Sequence, residues 1–332
     1  MFKTEKIKTN EKFLSIVFWS ITGIVAFLLT QKFFEFHFYY VEQLQLFLYN
    51  KMFLSKLFYS YGGLSELISR WCTQFYIYPK AGALINTLIL LLVAILMYGI
   101  TKKINTNNIS LILFPLLSSI LFFFIHLDHN YYVSGTIAYI LVLATFLVFL
   151  NIDKHIVKIA ATTMLAVLLF WWAGSAAYLF ALTVILWQLL SNKKQILYSF
   201  IPLALILILT YVGVNLGWIG DYKQAFLPRL YFHPKVTPSL LIYFAWGLLL
   251  LKDKKTSQKL QYIISLSQTA IACVVIYYLM PKYGQLSSYQ YKKLDYYTRM
   301  GRWGDIIEES KKPSSNLLQA YYINIALMET NQ

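Results

Sequence analysis

Long apolar runs without charged residues recur along this sequence and limit what it can fold into. The clearest runs cover residues 13–30, 82–100, 109–127, 131–150, 196–214 and 260–280. Each holds about 18 to 21 residues, enough for a helix to cross a hydrocarbon core of about 30 Å. Charged residues make up only 13% of the chain, whereas a soluble domain normally carries about 25%. We therefore predict an all-α polytopic membrane protein.

Two other apolar stretches need interpretation. Residues 157–190 form one run that is too long for a single crossing, because as one helix it would measure about 51 Å. Lysines flank both of its ends, and cytoplasmic lysines on both sides require an even number of crossings. We therefore predict two helices, at 157–172 and 175–190. The shorter stretch 237–251 must also cross, because the lysine-rich segment that follows it is expected in the cytoplasm.

The distribution of lysines predicts the orientation. Short connections rich in lysine alternate with connections poor in lysine, which gives nine spans with a cytoplasmic N-terminus and an extracytoplasmic C-terminus. The first apolar run is too long for a signal-peptide core, so we expect an uncleaved span. The expected location is a bacterial inner membrane. Nucleic acid is not an expected partner: the net charge is +15, but lysine outnumbers arginine 25 to 4.

The first outer loop, residues 31–81, is predicted to carry interfacial helices. In "LSELISRWCTQFYIY" the apolar residues follow helical spacing and form one face, while Glu66 and Arg70 form an i,i+4 pair on the other. The preceding stretch is rich in aromatic residues, which favour the level of the lipid headgroups. We expect these helices to lie flat on the membrane.

The C-terminal segment, residues 281–332, is polar and is predicted to form a separate extracytoplasmic tail. Tyr297, Gly301, Trp303 and Ile306 match part of the tetratricopeptide (TPR) pattern. A single repeat cannot bury its apolar face alone. Either this face packs on the membrane domain, or the chain is truncated relative to its relatives.

The sequence resembles two groups of known proteins. The stretches "YYVEQLQLF", "YGGLSELISRWCTQFYIYP" and "GRWGDIIEESKK" resemble an uncharacterised bacterial family of multispan membrane proteins whose function is unknown. Its members typically continue into a TPR-like outer domain. More distantly, the layout is similar to that of GT-C type glycosyltransferases. That resemblance implies a polyprenyl-phosphate sugar donor and a catalytic acid in the first outer loop, at Glu35 or Glu42.

Asp128 is the main candidate within the helical region. It lies in "HLDHN", between His126 and His129, at the predicted outer tip between two spans. A carboxylate there could act as a general base, and the two histidines at i,i+3 could add metal ligands. Alternatively, the same residues are simply the polar tip of a helical hairpin.

The outer loops supply the remaining candidates. Glu35 and Glu42 could deprotonate an acceptor hydroxyl, or they could lie on the wet face of an interfacial helix. In the loop 215–238, Arg229 could hold a phosphate in a bidentate manner, with Asp221 and His233 beside it. Arg229 could equally anchor the loop to lipid headgroups or pair with Asp221.

These observations lead to two hypotheses of different classes. The first is a GT-C-like transferase that uses Glu35, Glu42 or Asp128 as the base and binds substrate with Arg229, His129, Asp221 and His233. The second is a non-enzymatic, membrane-anchored scaffold that presents its TPR-like tail to a cell-envelope partner. We expect membrane lipids as partners and no resident cofactor, with a divalent metal as an open alternative. A transporter ranks third.

Overall fold

A computed structural model describes residues 2–104, 113–128, 130–191, 196–226, 286–310 and 317–331, together with scattered helical positions in 263–280. The described part is all-helical and contains no strand. Its helices are α1 (Phe2–Glu42), α2 (Lys51–Phe58), α3 (Gly63–Thr73), α4 (Ala81–Ile104), α5 (Leu113–His126), α6 (Ser134–Leu150), α7 (His155–Ala173), α8 (Ala176–Ser191), α9 (Ile196–Asn215), α10 (Tyr222–Phe226), α11 (Leu286–Arg299), α12 (Trp303–Ser310) and α13 (Leu317–Glu329).

Helix α6 lies at the centre of the bundle. It packs against α3, α4, α7 and α8. Most of its side chains are buried on all sides, as expected for a helix that is apolar all round. Its 17 residues measure about 26 Å. The main apolar core is built from α6 and the facing sides of α4, α7 and α8.

Four helices are long and apolar enough to cross a membrane by length and composition: α1 from Ile16 onwards, α4, α7 and α9. Shorter apolar helices lie between them: Pro115–His126 of α5, α6 and α8. Many side chains on the long helices are large, apolar and exposed, including Phe13, Ile16, Ile24, Leu28, Leu88, Met164 and Ile208. These features suggest a membrane protein. The count of nine spans and the orientation stay predictions, and the predicted span 237–251 lies outside the described residues.

The turn between α7 and α8 falls at Gly174 and Ser175. The helices predicted at 157–172 and 175–190 have their break next to the same glycine. Gly174 has φ 61°, in the left-handed region where a glycine avoids the steric cost of a Cβ. The chain therefore reverses at this glycine although both flanking segments are apolar.

Helix α1 extends far beyond the expected first span. The sequence predicts that the first span ends at residue 30 and that an outer loop begins at 31, but the helix continues without a break to Glu42. Its 41 residues measure about 60 Å, twice the thickness of a hydrocarbon core. No proline or glycine interrupts residues 24–42, so nothing local stops the helix. The end of α1 thus lies within the segment expected to be loop.

Helix α3 packs on α6 and α7, and it buries a face of small side chains. Ser65, Ser69 and Thr73, spaced four residues apart, are fully buried there, and small residues let helix backbones approach closely. Trp71 of the predicted apolar face is 47% exposed. The predicted ion pair between Glu66 and Arg70 is confirmed.

The tail forms three helices that share a small core with α1. Leu294, Tyr297, Ile306 and Ala326 are buried together, and Phe36 of α1 completes the cluster. The apolar face of the tail thus packs on the extension of α1 beyond residue 30. The resemblance to a TPR remains a prediction.

The close approach of α1 and α4 generates a prediction about Gly82. A Cβ built at Gly82 would lie 2.4 Å from the Cβ of Phe38. We expect Gly82→Ala to push these helices apart and to lower the free energy of unfolding by about 1–3 kcal/mol. Thermal unfolding of the detergent-solubilised protein measures the effect.

Gly99, on the same helix, supplies the matched control. A Cβ at Gly99 would meet its nearest neighbour, Leu147 Cδ2, at 3.4 Å, an ordinary contact. Gly99→Ala should therefore be neutral or stabilising, because alanine favours helix more than glycine does. Equal unfolding midpoints for the two variants would contradict the close α1–α4 packing.

Candidate functional site

A buried polar cluster forms where four segments meet: the last turns of α1, the start of α4, the turn between α5 and α6, and α11. Ring contacts and hydrogen bonds pair Phe36 with Tyr289, His37 with Lys292, and Tyr39 with Tyr296. Helix α11 therefore packs across the end of α1. This packing covers the α5–α6 turn with the tail.

His37 and Lys292 form the centre of the cluster. Both are almost fully buried, at 2% and 1% exposure. His37 Nε2 lies 2.8 Å from the backbone oxygen of His126. A carbonyl can only accept, so Nε2 carries the proton and donates. Nδ1 of the neutral ring then accepts from the Lys292 ammonium at 3.0 Å.

His126 is the central residue of a second chain of hydrogen bonds. Its Nδ1 lies 2.5 Å from Asn86 Oδ1, which can only accept, so this nitrogen carries the proton. Its Nε2, at 2.6 Å, accepts from the hydroxyl of Thr136. The Tyr131 hydroxyl lies 3.0 Å from the same oxygen and can donate to it. The ring is therefore held in one tautomer between α4 and α6.

Asp128 is buried, with 6% exposure. Its Oδ1 accepts from the backbone N–H of Asn130 at 2.9 Å, and from the Asn130 amide at 3.2 Å. This is the local pattern by which an aspartate stabilises a tight turn. Asp128 also acts electrostatically on Lys292. The described part of HLDHN is thus a turn beneath α11, and its carboxylate does not project into water.

Lys292 has a perturbed pKa for a physical reason. Burial lowers its pKa from the ordinary 10.5 to about 8, because the charged form loses its hydration, while Asp128 acts in the opposite direction. A buried lysine beside a carboxylate is a feature that clusters at functional sites, although structural networks show it too.

Glu35 and Glu42 contact neighbouring side chains and the tail. Glu35 accepts from the Tyr39 hydroxyl at 3.1 Å, and the Tyr39 ring stacks on Tyr296 at 4.3 Å. Glu42 lies 3.8 Å from the Arg299 guanidinium. The two predicted acids therefore belong to the interface between α1 and α11.

Arg299 binds the end of α1 to the tail. It donates to the backbone oxygen of Tyr39 at 2.9 Å and pairs with Asp295 at 3.3 Å. Asp295 in turn accepts from Gln43 at 2.8 Å and from the Tyr322 hydroxyl of α13 at 3.2 Å. These bonds link α1, α11 and α13 in one network.

The other predicted residues lie elsewhere. Asp221 is exposed and accepts from the backbone N–H of Gln224 at 2.5 Å, near the start of α10. His129, Arg229 and His233 lie outside the described residues. Within the described part of the chain, no three His, Cys, Asp or Glu side chains are placed to hold a metal ion.

Sequence reasoning missed Lys292, Tyr296 and Arg299. Their spacing of i, i+4 and i+7 puts them on one face of a helix, which was a usable signal. The polar composition of the tail hides this signal, because it is typical of a segment that is separate from the bundle. What the spacing could not reveal is that this face meets α1.

The fold and the cluster together define a class: an all-helical protein with several apolar helices and a polar tail docked on the extension of the first. The chain belongs to DUF6057, a family of unknown function, whose model matches residues 11–332. No curated protein and no solved structure matched the chain. The similarity to GT-C type glycosyltransferases therefore remains a prediction.

The lowered pKa of Lys292 generates a prediction about pH. In the unfolded chain this lysine binds its proton up to about pH 10.5, whereas in the folded chain it releases it near pH 8. Unfolding therefore takes up a proton between these values, so stability rises with pH across that window. The contribution of this one group is about 3 kcal/mol.

The substitution Lys292→Met removes this titrating group and therefore its contribution to the pH dependence of stability. We expect the unfolding midpoint of the wild type to rise more steeply with pH, between about 8 and 10.5, than that of the variant. Lys293→Met is the control, because this neighbouring lysine pairs with Glu309 inside the tail. Parallel pH profiles for wild type and Lys292→Met would show that Lys292 is not held in the cluster.

Proposed function

We propose that this protein is a membrane-anchored scaffold that holds its helical tail rigidly at the outer surface of a bacterial inner membrane and presents it to a cell-envelope partner. The proposal rests on one observation: the candidate acids are engaged in contacts within the protein. Glu42 pairs with Arg299, Glu35 bonds Tyr39, and Asp128 lies buried beside Lys292. A substrate would have to displace the tail to reach them.

The tail itself offers a surface for a partner. Leu317, Tyr321 and Met328 lie along one side of α13 and are 87%, 61% and 77% exposed. The opposite side of α13, with Gln319 and Ala326, is buried. Exposed apolar residues that form a stripe on an otherwise polar segment are typical of a protein-binding surface.

The packing of the tail also supports an odd number of crossings. Leu279 and Met280, at the end of the last predicted span, pack against the same cluster as Phe34 and Phe38, which follow the first predicted span. If the last span runs in the same direction as the first, the N-terminal and C-terminal ends of the spanning region lie on opposite sides of the membrane. Nine spans, with the N-terminus in the cytoplasm, satisfy this condition.

Aromatic and apolar residues in the segment 44–78 support contact with the membrane surface. Leu46, Tyr49, Met52, Tyr59 and Tyr78 are each more than 60% exposed. Such residues favour the level of the lipid headgroups. The segment would then anchor the outer face of the bundle, next to the docked tail.

A GT-C-like transferase is the second candidate. It is favoured by one observation: Asp128 lies near a buried cation, Lys292, so an acid and a group able to bind a phosphate are adjacent. In that case the polyprenyl-phosphate sugar would enter between the α5–α6 turn and α11 after the tail moves away.

The topology can be tested with single cysteines. Lys102 and Lys223 are both exposed, at the end of α4 and in α10. In a Cys72→Ser, Cys273→Ser background, we expect Lys223→Cys to react with an impermeant thiol reagent in intact cells. Lys102→Cys should react only after the membrane is opened. Equal reactivity of both in intact cells would reject the nine-span orientation.

The scaffold function can be tested by photocrosslinking. A photoreactive phenylalanine analogue at Tyr321 or Met328 should trap one defined envelope protein in cells, because both side chains project from the stripe. The same analogue at the exposed Glu308 of α12 is the control. The charge-introducing change Leu317→Asp should abolish the product.

The same strains distinguish the transferase. Under the scaffold proposal, Glu35→Gln, Glu42→Gln and Asp128→Asn leave the profile of lipid-linked glycans unchanged. A glycan lost in Asp128→Asn, with crosslinking at Tyr321 no stronger than at Glu308, would replace the scaffold by the transferase.

A further inference from the structure

A cavity lies at the end of the bundle opposite the tail. The polar cluster is found where α5 ends and α6 begins, whereas this cavity lies where α6 ends, α7 begins, and α8 and α9 meet. The enclosed space is small, about 20 Å³, and it opens at the surface. A space of this size holds one small group, and the rest of a ligand would lie outside it.

One wall of the cavity carries positive charge. Lys158 lies in the first turns of α7, and its ammonium nitrogen is 4.4 Å from the centre of the Phe149 ring. The dipole of α7 adds positive potential at this end of the helix. Asp153 acts on Lys158, but no carboxylate belongs to the described lining of the cavity.

Hydrogen-bond donors complete the lining. His155 packs edge-on against Tyr198 at 5.6 Å, and its Nε2 is buried without a hydrogen-bond partner among the described residues. Gln188 of α8 and the Tyr198 side chain also face the cavity. A buried ring nitrogen without a partner costs free energy, unless a ligand or water satisfies it.

The surface around the cavity is apolar. Ile156, Val157 and Leu197 flank the lining residues and are 81%, 51% and 76% exposed. Pro202 in α9 also lines the cavity and cannot form a helical hydrogen bond to the carbonyl of residue 198. The opening thus combines one cation and a few hydrogen-bond donors with a largely apolar lining and an apolar rim.

We propose that this cavity binds a phosphate group. Lys158 supplies the charge, while His155, Gln188 and Tyr198 supply donors to phosphate oxygens. The phosphate belongs either to the headgroup of an anionic lipid, whose chains would lie on the apolar rim, or to a free anion. The inference is independent of the scaffold function, because it concerns the other end of the bundle.

Binding to the full-length protein in detergent tests the proposal. The probes are phosphatidylglycerol, diacylglycerol with the same chains, and inorganic phosphate. We expect phosphatidylglycerol to raise the unfolding midpoint and diacylglycerol to leave it unchanged, because only the former carries a phosphate. Lys158→Gln should weaken phosphatidylglycerol binding about tenfold, since a hydrogen bond to a charged group is lost.

Lys154→Gln is the matched control. Lys154 precedes α7 and is exposed, so this change removes the same charge without altering the cavity. It should weaken binding less than about twofold, as expected for a screened surface charge. If Lys158→Gln fails to fold without ligand, Tyr198→Phe and Gln188→Leu replace it, and each should weaken binding.

The relative affinities of the probes identify the source of the phosphate or reject the proposal. Phosphatidylglycerol binding much tighter than inorganic phosphate assigns the site to a lipid headgroup, and similar affinities assign it to a free anion. Equal losses in Lys154→Gln and Lys158→Gln would overturn the proposal, because general surface charge would then explain binding. Equal stabilisation by diacylglycerol, or no binding of any probe, would overturn it as well.

Discussion

The packing of α11 along the end of α1 is the contact on which the polar side of this molecule depends. It buries a lysine, a histidine and an aspartate away from water, which is costly unless each is hydrogen-bonded or paired. The orientation of His37 meets that requirement, since one ring nitrogen donates to the His126 carbonyl and the other accepts from Lys292. Losing either helix would leave charged and polar groups of the other without compensation.

This packing also determines how the candidate residues can act. A catalytic acid must be reached by its substrate, yet Asp128 lies beneath the tail and Glu42 holds Arg299. The acids converge on α11, not on an open groove. The same contact that packs the tail on α1 covers these acids, and this is the basis of our scaffold proposal.

Parts of the fold followed from the sequence because they depend on local properties. The described helices α4 to α9 lie within a few residues of predicted spans, since apolar runs of this length favour buried or membrane-spanning helices. Gly174 lies where the 157–190 run divides, because glycine alone accepts that backbone conformation easily. The extension of α1 beyond the predicted end at residue 30 also has a local cause, because residues 24–42 contain no proline or glycine that would stop the helix.

The sequence by itself determined where apolar helices form, where the chain turns, and that Glu66 pairs with Arg70 one helical turn away. Only the tertiary structure decided which polar groups meet, because Lys292 and His37 are 255 residues apart and no local rule selects one partner among many. The same holds for α3: helical spacing revealed an apolar face, but the bundle buries the small-residue face instead. Close packing between helices depends on shape at the contact, and shape exists only once both helices are in place.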